Sequence, residues 1–336
     1  VFMQTTIESW IVCSLAAISL LANGTFLLLV VYAPNQRPIG SYRILLCTFT
    51  TVDMLMSVLH AIFVPEGHTV KDGLMIWGAR ALEWPKDVAV VLTIIYMILY
   101  YQPFILLAYH FFYRYMMINS DQVKRSYSIR TWILVAILVD IGYILFFVAI
   151  CILFLPPTPE KTALFAASLK QFFDVELTAN SGYVAVIYDR YSIPVIALVA
   201  SFMCGTVVFT FYCSCKIVQR LRRQVTDKTS EKTRRQQKML FKALLLQTAI
   251  PYVLSYIPLS FLYCAPLLGI SAGEISSICL ILTAVFPAID PIIVIYSIGC
   301  YRSAFVHFVR RSICRCTNAV DSLQSVEIYT KTTYSL

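Results

Sequence analysis

The side chains with the clearest chemical potential are a few polar groups inside long apolar segments. Asp290 lies between two prolines in the segment Phe286–Tyr301, which reads FPAIDPIIVIYSIGCY. A carboxylate at the depth of the bilayer core is costly unless it faces protein or water. Asn23 and Asp53 occupy comparable depths in two other apolar segments. We expect these residues, with His110, to form a buried polar network that either only pins helices together or acts as a switch or ion site.

A second polar stripe follows one face of the third apolar segment. Its residues recur at alternating spacings of three and four, which places them on one side of a helix. They are Thr93, Tyr96, Tyr100, Pro103, Leu107, His110 and Arg114. One half of the stripe is hydroxylated and aromatic and the other half ends in a cation, which suits a helix that transmits a signal from a small molecule. The alternative is that the tyrosines and the threonine simply pack between helices.

Further hydroxyl groups in the sixth and seventh apolar segments complete the candidate ligand site. Pro251 and Pro258 interrupt the sixth segment and should kink its helix. The predicted ligand-binding residues are Thr93, Tyr96, Tyr100, Tyr252, Tyr256 and Thr283. Because residues 89–102 include no Asp, Glu, Lys or Arg, we expect a small neutral molecule, since a buried cation would need a paired charge. Glu274 is the acid that could instead anchor a charged ligand.

The elements that position these residues follow from composition. Charged residues make up 13% of the chain, hydrophobic residues make up 59%, and the mean hydropathy is +0.74. Soluble domains carry about 25% charged residues, and one membrane span needs about 20 apolar residues. We predict an all-α membrane protein whose seven-transmembrane helix bundle has the spans Glu8–Tyr32, Tyr42–Val64, Val88–Phe112, Thr131–Leu155, Ile193–Cys215, Leu240–Tyr263 and Glu274–Ile298. Residues 1–299 then form the bundle, residues 300–316 form a short amphipathic eighth helix, and residues 317–336 form a disordered Ser/Thr-rich tail.

Charge predicts the orientation, because Lys and Arg are enriched in cytoplasmic loops. With the N-terminus outside and the C-terminus inside, the inner segments hold 21 of the 27 Lys and Arg residues, ten of them in Lys216–Lys242. The net charge of +9 is then a sign of membrane topology. Nucleic-acid binding is not expected, because it would need basic residues gathered on a soluble face.

Cysteines and short motifs predict few covalent features. The 11 cysteines include none in the outer segment Pro156–Ser192, so no disulfide can tie that segment to the third span. No Cys/His spacing suggests zinc, and we expect neither a metal nor a cofactor. The sequon at Asn23 lies inside the first span, where no glycan can be added. Cys314 and Cys316 follow the amphipathic run Tyr301–Arg315, and we expect them to be either palmitoylated or unmodified thiols beside the membrane.

Three segments carry a family likeness: HFFYRY at 110–115, LFKALLLQTAIP at 240–251 and FPAIDPIIVI at 286–295. Tyr301-Arg302 and Gly40-Ser41-Tyr42 fit the same pattern. Together these segments resemble the Str-type serpentine chemoreceptors of nematodes, a family of G-protein-coupled receptors that includes the diacetyl odorant receptor. The likeness runs from Asn23 to about Arg302, and the Asp290-Pro291 step resembles the Asn-Pro step in the seventh helix of such receptors.

The resemblance implies a chemosensory receptor in the plasma membrane of a sensory cilium. Its partners would be a small odorant-like ligand from outside, a heterotrimeric G protein, membrane lipid and arrestin at the Ser/Thr-rich tail. It implies G-protein-coupling roles for Tyr113, Arg114, Tyr115 and Lys242. Tyr113-Arg114-Tyr115 stands where rhodopsin-like receptors have Asp-Arg-Tyr, so Arg114 has no adjacent acid. The tyrosine of the Asn-Pro-x-x-Tyr motif is also missing.

Two other function classes remain open from the residues alone. A ligand-gated channel or transporter with seven spans would be expected to carry charged rings or a carbonyl-lined filter. Neither is visible, and the halves of the chain do not repeat one another, as many transporters do. A membrane enzyme is less expected, because no grouping of a nucleophile with a base is present.

Overall fold

The computed structural model of the chain describes residues 2–32, 42–82, 84–118, 129–223 and 231–311. Its helices are α1 (Phe2–Tyr32), α2 (Tyr42–Phe63), α3 (Lys86–Ile118), α4 (Ile129–Phe154), α5 (Pro159–Phe173), α6 (Ser192–Arg223), α7 (Glu231–Pro251), α8 (Ile257–Leu267), α9 (Glu274–Ser297) and α10 (residues 299–311). Its strands are β1 (Pro65–Val70), β2 (Gly73–Gly78) and β3 (Val184–Ile187). Within these ranges, seven helical segments are long and apolar enough to cross a membrane: α1, α2, α3, α4, α6, the continuous α7–α8 unit and α9. The seven predicted spans are confirmed, and α10 stands where a short eighth helix was predicted.

Helix α3 is, with α9, the most buried span of the bundle. In its most apolar stretch 61% of the residues are buried, whereas the figure is 11% in α4 and 17% in α6. Every residue from Tyr101 to Ala108 is buried, and α3 packs against α2, α4, α6 and α7. The polar stripe predicted on α3 therefore lies inside the protein, while α4 and α6 turn most of their apolar surface outward.

The sixth transmembrane helix changes its winding between α7 and α8. Pro258 has no N–H, and its ring would crowd the carbonyl group four residues earlier in a regular α-helix. Residues Tyr252–Tyr256 instead form a π-helical turn, in which the Ile257 N–H donates to the Tyr252 carbonyl five residues back. The irregularity that the two prolines predicted thus takes the form of a wider turn, which adds a residue to this part of the helix.

A three-stranded antiparallel sheet closes one end of the bundle, a feature that the helical prediction did not include. The residues of one sheet face join the core of the helical bundle: Leu74, Ile76, Val184 and Val186. The residues of the other face form a second apolar cluster with α5: Val70, Met75, Trp77, Tyr183, Ala185, Phe165, Leu169 and Phe173. Every residue of β1 and β2 is buried, so the sheet and α5 form a two-layer cap, which we call the sheet cap (β1, β2, β3 and α5).

The two ends of the bundle differ in chemistry. The end that carries the sheet cap holds Tyr96, and the opposite end holds Arg114. The two residues are 18 positions apart on α3, which corresponds to roughly 27 Å along a helix that rises 1.5 Å per residue. We refer to them as the cap end and the Arg114 end.

Candidate functional site

A tyrosine cluster lies beneath the sheet cap and consists of Tyr96, Tyr100, His60 and Thr283. Tyr96 is only 1% exposed, and its ring stacks on Phe63 with centroids 5.3 Å apart and meets the His60 ring edge-on at 5.6 Å. Thr283 Oγ1 lies 3.2 Å from His60 Nε2. Helices α2, α3 and α9 thus bring Tyr96 and Thr283 together around one imidazole, and the Tyr100 ring lies 6.0 Å from that of Tyr96.

Tyr100 links the tyrosine cluster to the π-helical turn. Its hydroxyl donates a hydrogen bond to the Ser255 carbonyl at 3.0 Å. A narrow gap with an enclosed volume of about 10 Å³ runs beside this bond. Its walls combine three polar side chains with apolar ones: Tyr100, Ser255, Thr283, Met56, Phe104 and Phe286. The cluster therefore borders a space on the side where α3 meets the sixth and seventh transmembrane helices.

His60 belongs to this cluster although the sequence pattern did not assign it to the ligand site. Its Nδ1 lies 2.9 Å from the Met56 carbonyl, which can only accept, so Nδ1 carries a proton. In the neutral ring Nε2 is then an acceptor, and the Thr283 hydroxyl has one proton to share between His60 and the Leu280 carbonyl, 2.6 Å away. The available sequence signal was a histidine seven residues after Asp53, on the same helical face.

The predicted residues Tyr252 and Tyr256 lie to one side of the cluster. Tyr256 meets Phe104 edge-on at 5.2 Å and lies 5.4 Å from the Tyr252 ring. Tyr252 lies near Thr210 of α6. Five of the six predicted ligand residues thus form two neighbouring groups, and Thr93 belongs to neither.

The hydroxyl groups of these residues differ in how they are satisfied. Thr93 is buried and donates to the Ala89 carbonyl of its own helix at 2.7 Å. The Tyr96 hydroxyl lies near Thr283 but makes no hydrogen bond of regular geometry with any described residue. The buried Tyr256 hydroxyl likewise has no partner among the described residues. An unsatisfied buried hydroxyl costs about 1–3 kcal/mol, which a polar ligand atom would recover.

The buried polar network lies deeper in the bundle and joins α1, α2, α7 and α9. Pro291 has no N–H to give to the Pro287 carbonyl four residues earlier, and Asn23 Nδ2 donates to that carbonyl at 2.8 Å instead. Asn23 also bonds the Ser19 hydroxyl at 3.1 Å, and this hydroxyl is 2.6 Å from that of Ser57. Asn23 therefore supplies a donor to the carbonyl group whose usual helical donor is missing at Pro291.

The two carboxylates of the network are satisfied to different extents. Asp290 Oδ2 accepts a hydrogen bond from Gln247 Nε2 at 3.0 Å, while its Oδ1 has no partner among the described residues. Asp53 is 0% exposed, and neither of its oxygens has a partner in the same part of the chain. A carboxylate buried in this way needs a proton or a cation. Gln247 was not predicted, although it lies in one of the three segments that carried the family likeness.

His110 belongs to a different cluster, at the Arg114 end. The Arg114 guanidinium lies over the Tyr42 ring, 3.9 Å from its centroid. The Tyr42 hydroxyl is hydrogen-bonded to His110 Nδ1 at 2.9 Å, and the Tyr42 ring stacks on Tyr113 at 5.6 Å. Within the described ranges no carboxylate lies within salt-bridge distance of Arg114. An aromatic ring therefore holds the cation in place of the missing acid.

The remaining residues assigned to G-protein coupling lie around this cluster. Tyr115 is half-buried on α3, and Lys242 is exposed on α7. Arg114 itself is only 8% exposed. The predicted group therefore contains one enclosed cation, Arg114, and one accessible cation, Lys242.

Comparison with known proteins decides the family. The sequence pattern of the family described as "Serpentine type 7TM GPCR chemoreceptor Str" matches residues 8–306. This chain belongs to the Str family of serpentine chemoreceptors. It is a multi-pass membrane protein of the G-protein-coupled receptor type, and the family is one of receptors and not of enzymes.

Several nematode receptors of this type are similar to the Str receptor over most of their length. "Serpentine receptor class r-10" of Caenorhabditis elegans is 22% identical over 307 residues, which cover 86% of each chain. The Caenorhabditis briggsae protein of the same name is 23% identical and covers 89% of each chain. "G-protein coupled receptor str-33" of C. elegans is 22% identical over 82% of this chain and 84% of its own. The likeness thus extends through the whole bundle.

The sheet cap of this receptor buries three ionisable side chains. Glu66 is 2% exposed, and burial raises the pKa of its carboxyl group to about 8. His68 bonds the Ser168 hydroxyl at 3.0 Å, and burial lowers the pKa of its imidazole to about 4. Lys161 donates to the Phe154 and Pro156 carbonyls at 2.7 and 2.9 Å, and burial lowers the pKa of its ammonium group to about 8.

These shifts give the stability of the sheet cap a defined pH dependence. His68 is protonated in the unfolded chain up to a pH of about 6.5 but in the folded protein only up to about 4. Between these values the stability of the fold therefore rises with pH. Glu66 stays protonated in the folded protein up to a pH of about 8, whereas it ionises near 4.5 in the unfolded chain. Between these values the stability of the fold therefore falls as pH rises. The folded state with deprotonated Lys161 gains stability only from about pH 8 upward. Between about pH 6.5 and 8, Glu66 is the one of these three groups that contributes, and the stability of the sheet cap should fall.

Two further predictions concern the C-terminal segment and metal binding. Cys314, Cys316 and the tail 317–336 are outside the described ranges. Inside those ranges, no three His, Cys, Asp or Glu side chains are grouped as a metal site.

Proposed function

We propose that this receptor binds a small, neutral, odorant-like molecule between the tyrosine cluster and Tyr256 and then activates a heterotrimeric G protein through the Arg114 end. The buried face of α3 carries the proposal, because it has Tyr96 and Tyr100 at one end and Arg114 at the other. A ligand that displaces α3 would affect both ends, because the same helix carries both. The four helices that pack against α3 would have to adjust with it. We further propose that the N-terminus and the cap end face outside and the Arg114 end faces the cytoplasm, in keeping with the Lys and Arg distribution.

The proposed ligand class rests on the surroundings of Tyr96. The tyrosine cluster offers hydroxyl groups, aromatic rings and one imidazole, and none of its four residues is an acid, a lysine or an arginine. Glu274, the acid that could have anchored a cation, is exposed in the first turn of α9. Such a lining suits a molecule held by aromatic contact and one or two hydrogen bonds. Ketones, alcohols and esters fit this description, and amines and carboxylic acids do not.

G-protein coupling is proposed for Tyr113, Arg114, Tyr115 and Lys242. The basic last turn of α6, with Arg220, Arg222 and Arg223, lies at the same end of the bundle and would add positive charge beside a bound partner. The receptor family supports a G protein as the partner in general terms. We also propose palmitoylation of Cys314 and Cys316, arrestin binding at the tail and residence in a sensory cilium.

Calcium imaging of cells that express the receptor tests this function against a panel of neutral volatiles, amines and acids. Neutral compounds should be active, and Tyr96→Ala or Tyr256→Ala should raise the concentration for half-response by roughly 10-fold or more. The reason is that a lost aromatic contact and a lost hydrogen bond together amount to about 1–3 kcal/mol. Tyr296→Ala is the matched control, because Tyr296 is 69% exposed on α9. A potent charged agonist whose response disappears in Glu274→Gln would overturn the ligand class.

A further inference from the structure

A crevice between α4 and α6 lies beside the tyrosine cluster, separate from the predicted ligand residues. Its empty volume is about 570 Å³ when the space on its open side is included. Its walls come from the bundle-facing side of the sheet and from the first turns of α6 and the last turns of α4: Ile76, Val184, Ile150, Phe154, Val195 and Ile196. These side chains are apolar, so the crevice suits an apolar molecule.

The geometry shows where this crevice opens. Ile150, Phe154, Val195 and Ile196 are only half-buried, whereas the sheet residues behind them are buried. The crevice is therefore open on the outward side, between α4 and α6. It is closed towards the middle of the bundle, where α4 and α6 meet through stacked rings whose centroids are 5.1 Å apart, those of Tyr143 and Phe202.

The sheet cap obstructs the direct route from the cap end to the tyrosine cluster. Both strands of the hairpin are buried throughout, and α5 covers them through an apolar cluster that includes Phe165, with 0% exposure. A small molecule arriving from water at the cap end would have to pass two packed layers. A molecule already dissolved in the membrane meets no such layer at the crevice.

A hydrogen-bonded pair of tyrosines lies between the crevice and the tyrosine cluster. Tyr263 lines the crevice, and its hydroxyl lies 2.7 Å from that of Tyr101. The Tyr101 ring contacts Phe147, another wall residue, at 4.6 Å, and Tyr100 of the cluster at 5.5 Å. Rotation of these two rings would join the two spaces.

We propose that this crevice is a binding site for small, neutral, apolar molecules that have partitioned into the bilayer, and that they reach the tyrosine cluster from it past Tyr101 and Tyr263. The inference rests on the proposed function and specifies its ligand as a membrane-soluble compound. With the cap end outside, the crevice lies in the outer leaflet, because Val195 and Ile196 belong to the first turns of α6. Charged compounds are excluded from this route, since they do not enter the hydrocarbon region.

Photolabelling of the purified receptor in phosphatidylcholine nanodiscs tests the site without any signalling readout. The probe is a diazirine-bearing octanol, and labelled residues are located by mass spectrometry. We expect saturable labelling around Ile150 and Val195 that excess unlabelled octanol displaces. Lipid-facing positions on α6 such as Val208, which is 67% exposed, should label in proportion to probe concentration without saturating.

Two tryptophan variants on α6 make the test specific. Ile196→Trp should fill the crevice and remove the saturable component, whereas Leu198→Trp should leave it intact, because Leu198 is 51% exposed and does not line the crevice. If both variants fail to fold, the saturation and displacement measured on the unmodified receptor decide the matter. The proposal would be overturned if labelling around Ile150 were no more saturable than labelling at Val208. It would also be overturned if octanol did not displace the label because a lipid acyl chain occupies the crevice. A receptor that responds to neutral volatiles but lacks saturable labelling would lose this proposal and keep the proposed function.

Discussion

Removal of the Tyr42 ring should release Arg114 and raise signalling in the absence of ligand. Tyr42 is 3% exposed and holds the guanidinium at 3.9 Å from its ring centroid. Its hydroxyl is bonded to His110 one helical turn earlier on α3. Because Arg114 has no carboxylate partner in the described part of the chain, this ring is the main restraint on the cation. Tyr42→Leu removes the ring and the hydroxyl, and Tyr42→Phe removes only the hydroxyl.

The expected size of the effect follows from the burial of the ring. A cation–π contact is worth about 0.5–1 kcal/mol when exposed and about 2 kcal/mol or more when desolvated. The hydroxyl adds about 0.5–1.5 kcal/mol. If the contact exists only in the resting arrangement, Tyr42→Leu should shift the equilibrium by about 2–3 kcal/mol, or roughly 30- to 150-fold, from a small resting fraction of active receptor. Tyr42→Phe should shift it by roughly 10-fold at most.

The assay is ligand-free nucleotide exchange on a G protein in membranes, normalised to the amount of receptor at the cell surface. Tyr212→Leu is a matched control, because Tyr212 pairs with Lys216 at the same end but is 52% exposed, with the cation 5.4 Å from its ring. Arg114→Ala should abolish the increase when combined with Tyr42→Leu. The reasoning is refuted if Tyr42→Leu reaches the surface normally and leaves basal exchange unchanged, or if Tyr42→Phe raises it as much.

Three further outcomes are expected. Asn23→Ala should lower the free energy of unfolding in detergent by about 1–3 kcal/mol, because the Pro287 carbonyl of α9 loses the side-chain amide that bonds it from α1; Thr25→Ala, whose hydroxyl bonds only its own helix, should change it by less than about 0.5 kcal/mol, and equal losses would contradict this role. The thermal midpoint of the receptor should fall between about pH 6.5 and 8, since burial raises the pKa of Glu66 to about 8; Glu66→Gln should flatten this fall, and an unchanged profile would show that another group is responsible. A tag inserted at Thr226 should be accessible to antibody only after permeabilisation and one at Thr178 on intact cells, and the reverse pattern would overturn the proposed orientation.

The spans were predictable because each depends on a property that the chain carries locally. Apolar stretches of sufficient length must become helices in a membrane, where unpaired backbone groups are too costly. The stripe on α3 was predictable for a related reason, since a helical period alone puts Tyr96 and Arg114 on one face. Both inferences need only the order of residues along one segment, and both agree with the burial of that face.

The partners of these residues were not predictable, because they depend on how separate segments meet. Nothing near Arg114 in the sequence points to Tyr42, which begins another helix, and His60 was visible only as a polar residue in a span. The sheet had only a weak local signal. Asp72-Gly73 marks a turn, but the run before it, PEGHTV, contains proline and glycine, which are depleted in strands. The π-helical turn escaped because a proline predicts an interruption without specifying its form.

The proline-containing helices carry backbone irregularities between the cap end and the Arg114 end that local patterns do not reveal. Asn23 bonds a carbonyl that Pro291 leaves free in α9, and Tyr100 bonds the Ser255 carbonyl inside the π-helical turn. Both bonds end on irregular backbone, where a helix can change its winding at lower cost than in a regular segment. In the proposed mechanism a ligand that competes for the Tyr100 hydroxyl therefore acts directly on the sixth transmembrane helix. Because α7 continues from this turn to Lys242, a change of winding there would alter the surface proposed to meet the G protein.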